Sequence, residues 1–469
     1  MIKIKKKQGR VFSMYKYTKI TASIGPKSES HTILTKMVRA GVNLFRINFS
    51  HDTGDVQGKK MDTIRTVARE LKTPVGIIVD LQGPKHRIGD FATNDKYKLT
   101  IGQRFVFDSD ETPGDSARVC LPHPDVIASL HSGDRILLDD GKLEMRVDRA
   151  EPTKIIATVV RGSEISSRRG FNLPDTFVDT TVLTEKDKAD LEYAVKKKPD
   201  YVAVSFVQSA DDIAYVRDFI TQRTSHKIKI IAKIERPHAV HDIDNIVVAA
   251  DAIMIARGDL AVEMPYEQMP AISRHIIRLC RQMNRPVIIA TQMLASLVDS
   301  EFPTRAEISD VANASYLRAD STMTSEETTV GVNPVHAIDT MARILKYADM
   351  DGIANPHDWR QLDHLPENNW SRSVASMAHL NNASAIIVFD KDGIATTEIS
   401  CRRPDMPILA VCNDETIANH LCLSRGVFPI CDEEIFGRRD VKAAAKYFGK
   451  NIGAVVVVDD GTINLRELD

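Results

Sequence analysis

Short apolar runs alternate with amphipathic segments along most of the chain. Apolar runs of about four to eight residues are typical of strands buried on both faces of a parallel sheet. Eight are predicted, at residues 18–24, 42–48, 75–80, 201–206, 228–235, 252–256, 287–291 and 320–325. Helices are predicted at residues 32–40, 58–71, 184–196, 211–222 and 271–283. Because eight such strands are interleaved with helical segments, the pattern predicts an α/β fold, a closed (β/α)8 TIM barrel formed by residues 16–85 and 174–345.

The interval between the third and fourth strands is too long for a loop. It spans about 120 residues, whereas loops beyond roughly 15 residues without structure of their own are uncommon. Short strands are predicted within it, at residues 98–101, 104–108, 135–138, 143–148 and 155–161. We therefore predict an inserted all-β domain over residues 86–173. It leaves and re-enters one face of the barrel, so we expect it to act as a lid.

The two ends of the chain lie outside the barrel pattern. Apolar runs at residues 385–389, 408–411 and 454–458, with helices between them, predict a C-terminal α/β domain over residues 346–469. Residues 1–15 are predicted to be an N-terminal extension. Its basic start is not followed by an apolar signal core. We interpret it as a frayed extension, with a basic contact arm as the alternative.

Composition excludes several classes of partner. Lys and Arg number 62 against 64 Asp and Glu, so there is no bulk attraction for nucleic acid or an anionic membrane. No apolar run approaches the roughly 20 residues of a membrane span. The six cysteines form no CxxC pair, so no zinc site is expected. Four lie within residues 401–431, as sites of thiol chemistry or as small core residues. We expect a cytoplasmic protein.

The carboxyl ends of barrel strands, where such folds place their chemistry, carry many polar residues. Lys233 and Glu235 end the fifth strand and point the same way, because strand side chains alternate. They form either an ion pair that holds a loop or a metal-binding carboxylate beside a lysine that contacts an anionic substrate. Other candidates at strand ends are Arg46, Asn48, Ser50, Asp80, Lys85, Arg87, Ser205, Asp259 and Thr291.

The charges in this set favour phosphoryl transfer with a divalent metal. The carboxylates are Glu235 and Asp259, and the cations are Arg46, Lys85, Arg87 and Lys233. Carboxylate oxygens suit Mg²⁺ or Mn²⁺, and the cations suit phosphoryl oxygens. Gly258 allows the backbone to approach a small carboxylate closely.

A series of motifs also runs along nearly the whole chain in a fixed order. They include Asp80-Leu81-Gln82-Gly83-Pro84-Lys85 and Ala232-Lys233-Ile234-Glu235. Others lie at residues 18–20, 24–26, 45–51, 139–141, 172–174, 183–187, 256–260, 290–294 and 303–307. Together they make the chain resemble the pyruvate kinase family. The resemblance implies transfer of a phosphoryl group from phosphoenolpyruvate to ADP in glycolysis, giving pyruvate and ATP, by a metal-dependent homotetramer.

The resemblance also implies roles for individual residues. Glu235 and Asp259 resemble the ligands of Mg²⁺ or Mn²⁺, and Lys233 and Arg46 the cations that hold the phosphoryl group. Thr291, with the backbone of Gly258 and Asp259, resembles the substrate carboxylate site. The nucleotide-side positions are Pro26, Asn48, His51, Arg87 and Lys186.

A monovalent-cation region is implied at Asn48, Ser50 and Asp80. Leu81 lacks a side-chain oxygen there, and Lys85 stands where many relatives have glutamate. This pattern resembles the branch of the family that does not require K⁺. Either the Lys85 ammonium group replaces the cation, or Lys85 is a solvated lysine. We expect that K⁺ is not required.

The eighth predicted strand departs from the apolar pattern of the family. It reads Asp-Ser-Thr-Met-Thr-Ser over residues 320–325, and buried hydroxyl groups cost about 1–3 kcal/mol each if unpaired. This departure keeps open an alternative function, a catalytically weak paralogue that acts as a binding or regulatory subunit. A third hypothesis is a phosphoenolpyruvate-using enzyme with another acceptor.

Overall fold

The computed structural model describes residues 15–93, 95–354, 370–448 and 452–468. The strands are β1 (Lys19–Ser23), β2 (Leu44–Asn48), β3 (Gly76–Asp80), β4 (Tyr97–Lys98), β5 (Arg104–Asp108), β6 (Arg118–Cys120), β7 (Arg135–Leu138), β8 (Leu143–Glu151), β9 (Lys154–Arg161), β10 (Glu164–Ile165), β11 (Phe171–Asn172), β12 (Tyr201–Val204), β13 (Lys229–Ile234), β14 (Ala252–Ala256), β15 (Val287–Ala290), β16 (Ser321–Thr324), β17 (Ala385–Phe389), β18 (Ile408–Cys412), β19 (Val427–Cys431), β20 (Ala454–Asp459) and β21 (Thr462–Glu467).

The α-helices are α1 (His31–Ala40), α2 (Gly54–Leu71), α3 (Pro124–Ser129), α4 (Glu185–Lys196), α5 (Ala210–Thr221), α6 (Pro237–His241), α7 (Ile243–Ala249), α8 (Arg257–Glu263), α9 (Met269–Gln282), α10 (Arg305–Tyr316), α11 (Glu326–Thr329), α12 (Pro334–Ala354), α13 (Trp370–Leu380), α14 (Ile394–Cys401), α15 (Glu415–Leu421), α16 (Glu433–Arg438) and α17 (Val441–Ala445). No helix in the ranges described above is both long and apolar enough to cross a membrane.

The predicted barrel is confirmed. Eight parallel strands close in the order β1-β16-β15-β14-β13-β12-β3-β2. Their aliphatic side chains are buried both inside the barrel and under the surrounding helices, which is why the strands read as nearly continuous apolar runs. Closure brings all eight carboxyl ends to one rim, where the candidate residues lie.

The polar eighth strand, β16, completes the barrel because its buried hydroxyl groups have partners. Ser321 Oγ lies 2.9 Å from Thr21 Oγ1 of the neighbouring strand, and Thr324 Oγ1 lies 3.0 Å from Thr328 Oγ1. Thr328 also donates to a backbone carbonyl of β1. The cost expected for unpaired hydroxyl groups is therefore reduced.

The insert is a sheet domain, as predicted. Six strands pair in the order β11-β7-β8-β9-β5-β6, and β4 pairs with β10. Phe105, Phe107 and Phe171 form part of a core that is separate from the barrel core. The chain enters the insert after β3 and returns through β11.

The C-terminal α/β domain is also confirmed, with a five-stranded sheet in the order β19-β18-β17-β20-β21. The sequence analysis missed its two edge strands. β19 contains Pro429. Proline has no backbone N–H to donate, and an edge strand tolerates this because it has a neighbour on one side only. β21 is mostly exposed and reads Thr-Ile-Asn-Leu-Arg-Glu, which lacks a long apolar run.

Buried ion pairs join the C-terminal domain to the barrel. Arg403 Nη2 lies 2.6 Å from Asp320 Oδ2, and both side chains are about 1% exposed. Arg425 Nη2 lies 2.6 Å from Asp349 Oδ1, and the backbone N–H of Arg425 donates to Asp320. Asp349 lies on α12, which packs against β1 and α10 of the barrel and extends past the predicted domain boundary at residue 346. Removing one partner of such a pair leaves a buried charge uncompensated, so these contacts fix how the two domains fit together.

His420 lies in the same interface and should make stability sensitive to acid. Burial, with help from the charge of Lys229, lowers its pKa to about 3. The folded state then stays unprotonated while the unfolded state binds a proton below about pH 6.5. The contribution of His420 is therefore complete above that pH and is lost as pH falls. Between pH 7 and pH 5, the unfolding free energy of the wild type should therefore fall by about 2 kcal/mol more than that of His420→Gln.

Urea unfolding at the two pH values tests this expectation, with His31→Gln on exposed α1 as the control. Burial raises the pKa of Asp200 to about 6, so Asp200 also titrates in this range. It does so in all three proteins, and the difference in their stability losses therefore isolates His420. Equal losses in the wild type and His420→Gln would contradict the assignment.

Five of the six cysteines are buried core residues rather than members of a reactive cluster. All six are free thiols, and only Cys431 is exposed. Burial raises the pKa of Cys401 to about 11 and that of Cys422 to about 12. Thiols with raised pKa values carry little thiolate at neutral pH and react slowly.

Candidate active site

Lys233 lies at the centre of a buried charge network on the barrel rim. Its Nζ is 2.9 Å from Glu235 Oε1, 3.2 Å from Asp80 Oδ1 and 2.6 Å from Ser205 Oγ. Burial alone lowers the pKa of Lys233, but Asp80 and Glu235 outweigh it and raise the pKa above its usual value. The side chain is therefore a fixed, desolvated positive charge.

Arg46, at the end of β2, supplies the second cation. Its Nε donates to Asp80 Oδ2 over 2.5 Å and its Nη1 to Ser23 Oγ over 3.0 Å. Burial alone raises the pKa of Asp80, but Arg46 and Lys233 overcome this and hold the pKa below its usual value. Asp80 thus stays ionised and orients both cations.

Glu235 follows β13 and is 2% exposed. Its Oε2 accepts a hydrogen bond of 2.8 Å from the backbone N–H of Phe206. Burial raises the pKa of Glu235; Lys233 lowers it, and the Asp259 carboxylate raises it further. The two carboxylates are therefore close enough to repel each other. A divalent cation would relieve that repulsion, so these oxygen donors fit Mg²⁺ or Mn²⁺.

Asp259 lies in the first turn of α8, a helix where the sequence predicted only a strand end. Its Oδ1 lies 3.0 Å from Lys85 Nζ, and both side chains are roughly one-third exposed. Lys85 therefore contacts the predicted metal ligand, and within the described residues no hydrogen bond or ion pair joins it to Asn48 or Ser50. Among those residues no group of three or more His, Cys, Asp or Glu is arranged to hold a metal.

Thr291 and Gly258 meet at the end of β15. The backbone N–H of Gly258 donates to Thr291 Oγ1 over 2.8 Å. Thr291 has a φ of 70°, a left-handed conformation that is rare for a β-branched residue and is found mostly at functional sites. Arg257 supports this turn, because its Nη2 donates to the Thr291 carbonyl over 2.9 Å and pairs with Asp310.

Two of the predicted nucleotide-side residues are anchored near the end of β2. Lys186 Nζ donates to the Phe49 carbonyl over 2.6 Å and lies 2.5 Å from Asp190 Oδ2. The His51 carbonyl accepts a hydrogen bond of 2.7 Å from Gln57 Nε2, and the residue is exposed. Both side chains thus flank the rim rather than the buried network.

The remaining nucleotide-side candidates are more dispersed. Asn48 Oδ1 accepts from the backbone N–H of Ser50 over 3.1 Å, and Pro26 is exposed in the loop after β1. Arg87 lies on the insert, where its Nη1 donates to the Arg168 carbonyl over 2.9 Å. The position of Arg87 relative to the rim therefore follows the position of the insert.

The sequence analysis assigned no role to a group of residues beside the site. Asn172, Phe206, Arg236 and Glu263 line a cleft beside Lys85, between the barrel and the insert. Arg236 and Glu263 are 9% and 8% exposed. The only signal was the unusual presence of charge at buried positions, which is not visible before the fold is known.

Family models for two domains match this arrangement. The model described as pyruvate kinase, barrel domain, matches residues 15–338, and the one described as pyruvate kinase, alpha/beta domain, matches residues 368–463. The chain belongs to the pyruvate kinase family. Similar members include the pyruvate kinase of Methylorubrum extorquens, 40% identical over 92% of this chain and 90% of the relative. The pyruvate kinase of Thermococcus litoralis is 36% identical over 96% of this chain and 94% of the relative.

A solved structure from the family has the same fold. The crystal structure of a pyruvate kinase from Cryptosporidium parvum superposes with a TM-score of 0.91, with 29% sequence identity. The match covers 97% of each chain, so the barrel, the insert and the C-terminal domain all have counterparts.

Proposed function

We propose that this chain transfers the phosphoryl group of phosphoenolpyruvate to ADP, giving pyruvate and ATP. The observation that carries the proposal is the placement of Lys233 between Asp80 and Glu235 on the rim of a pyruvate kinase barrel. A buried, permanently charged ammonium beside two carboxylates is the electrostatic arrangement that phosphoryl transfer needs.

Arg46 and Lys233 hold the migrating group. The phosphorus–oxygen bond of phosphoenolpyruvate breaks while a β-phosphate oxygen of ADP forms a new bond to phosphorus. Negative charge spreads over the equatorial oxygens, and the two cations are already fixed by Asp80 to face it. When bound between Glu235 and Asp259, Mg²⁺ or Mn²⁺ would neutralise charge on the phosphoryl and enolate oxygens.

Thr291 and Gly258 suit the carboxylate end of the substrate. The hydroxyl group of Thr291 and the backbone beside it lie at the rim, next to Asp259 in the first turn of α8. The enolate left after transfer takes a proton on carbon to become pyruvate. We propose that Thr291 orients the group that delivers this proton.

Pro26, Asn48, His51, Arg87 and Lys186 are proposed to contact the nucleotide. Lys186 and His51 flank the rim beside Arg46, while Arg87 would arrive with the insert. Closure of the insert over the rim would exclude water and limit wasteful hydrolysis.

We propose that the reaction does not need K⁺. Lys85 places a fixed positive charge 3.0 Å from Asp259, and Leu81 supplies no side-chain oxygen to a monovalent ion. With Mg²⁺ present, activity in Na⁺ should be nearly the same as in K⁺ at equal ionic strength. Initial rates in the two chloride salts, with tetramethylammonium chloride as the control, test this. A large activation by K⁺ would refute it.

We further propose a cytoplasmic homotetramer. Phe302, Ile308, Tyr316 and Tyr347 are 77%, 39%, 45% and 59% exposed on the face formed around α10 and α12. Such an apolar patch favours association with a second copy. Light scattering after gel filtration should give four times the 52.2 kDa mass of one chain.

A lactate dehydrogenase-coupled assay with phosphoenolpyruvate, ADP and Mg²⁺ tests the function. Pyruvate formed only when ADP is present supports it. Binding without turnover would favour the weak paralogue, and pyruvate formed with another acceptor would favour a different phosphotransferase.

A further inference from the structure

The chain crosses between the barrel and the insert twice, outgoing after β3 and returning through β11. Both crossings are attached to the seven-residue helix α8. On the outgoing crossing, after β3, Lys85 Nζ lies 3.0 Å from Asp259 Oδ1 in the first turn of α8. On the returning crossing, Asn172 of β11 donates through Nδ2 to Glu263 Oε1 over 3.0 Å. Glu263 is the last residue of α8. One short rigid element thus holds a predicted metal ligand and both connections of the lid.

The attachment at Glu263 is buried. Glu263 is 8% exposed and accepts the hydrogen bond from Asn172 at a buried position. Because a buried hydrogen bond to a carboxylate is stronger than one between neutral groups, this contact can restrain the returning connection of the insert.

Arg236 lines the same cleft as Glu263 and Phe206. Its guanidinium group lies over the Phe206 ring at 5.0 Å from the centroid, and it is attracted to Glu263 and, less strongly, to Glu235. The backbone N–H of Phe206 donates to Glu235. The returning crossing, α8 and Glu235 therefore share one packed cluster.

We propose that Asn172 and Glu263 are positioning residues that tie the returning crossing of the insert to α8 and so couple the lid to the placement of Asp259. The proposal rests on the proposed function for its catalytic meaning. The tie itself is a property of the unliganded protein and can be measured without turnover.

The experiment compares five proteins: the wild type, Asn172→Ala, Glu263→Ala, Glu263→Gln and the double variant Asn172→Ala/Glu263→Ala. Glu263→Gln keeps an oxygen that accepts from Asn172 and so serves as the conservative rescue. Lys96→Ala is the matched control, because it removes an exposed ion pair with Glu164 that lies within the insert and outside both segments where exchange is measured. Hydrogen exchange at residues 85–93 and 171–178 measures how firmly the two crossings of the lid are held. Mn²⁺ binding, followed by electron paramagnetic resonance, measures the affinity of the site proposed at Glu235 and Asp259.

We expect Asn172→Ala and Glu263→Ala each to speed exchange in both crossings and to weaken Mn²⁺ binding by about fivefold or more. The double variant should resemble either single variant, because both break the same contact. Glu263→Gln and Lys96→Ala should resemble the wild type.

Three results would overturn the proposal. One is unchanged exchange and Mn²⁺ binding in Asn172→Ala. Another is additive effects in the double variant. The third is Glu263→Gln behaving like Glu263→Ala, because the charge rather than the hydrogen bond would then matter. If the wild type lacked phosphoryl transfer, the proposed function would be wrong. The exchange data would still show whether Asn172 and Glu263 hold the returning crossing to α8.

Discussion

Replacing Lys233 with methionine is expected to lower kcat by about 100-fold to 1,000-fold, the loss typical of removing one preorganised charge from a transition state. Methionine has a similar length and no charge. Asp80 retains Arg46 as a partner, so the rim should keep its shape. The measurement is the steady-state rate at saturating phosphoenolpyruvate, ADP and Mg²⁺.

Lys229→Met is the matched control, because Lys229 begins the strand that Lys233 nearly ends and lies at the opposite end of the barrel. We expect it to keep the wild-type kcat. Circular dichroism should show both variants folded. A Lys233→Met variant with the wild-type kcat would remove Lys233 from the mechanism.

Replacing Glu235 with glutamine should weaken Mn²⁺ binding by at least about 10-fold to 100-fold and lower kcat at fixed metal. The amide keeps the size of the carboxylate and one oxygen for the Phe206 N–H. It removes the charge that attracts a divalent ion. Equilibrium binding of Mn²⁺ measures the loss without depending on catalysis.

Glu267→Gln is a suitable control, since Glu267 is an exposed carboxylate just beyond α8. It should bind Mn²⁺ as the wild type does. Equal affinities for Mn²⁺ in Glu235→Gln and the wild type would mean that the ion binds elsewhere, and the proposed pair of Glu235 and Asp259 would be wrong.

The architecture could be predicted because each barrel strand is buried on both faces and so reads as a short apolar run. β13 and β14 are examples, since nearly all of their residues are buried. The long interval before β12 likewise indicated an inserted domain. The edge strands β19 and β21 escaped prediction because one carries a proline and the other faces solvent, so neither has the apolar pattern.

The parts of the site that could not be predicted from the sequence depend on contacts between distant segments of the chain. That Lys233 and Glu235 share a side followed from strand alternation, and the structure joins them directly. The pairing of Lys85 with Asp259 and of Asn172 with Glu263 depends on how the insert meets α8. Those partners are separated by 174 and 91 residues in the chain, and no local pattern encodes them.

Phosphorus NMR of a mixture of the protein, phosphoenolpyruvate, ADP and Mg²⁺ tests the central claim most directly. The signal of phosphoenolpyruvate should decline as the three signals of ATP appear in equal proportion, and Lys233→Met should slow this conversion by the factor given above. Conversion of phosphoenolpyruvate to inorganic phosphate without ATP, or no conversion at all by the folded protein, would contradict the account.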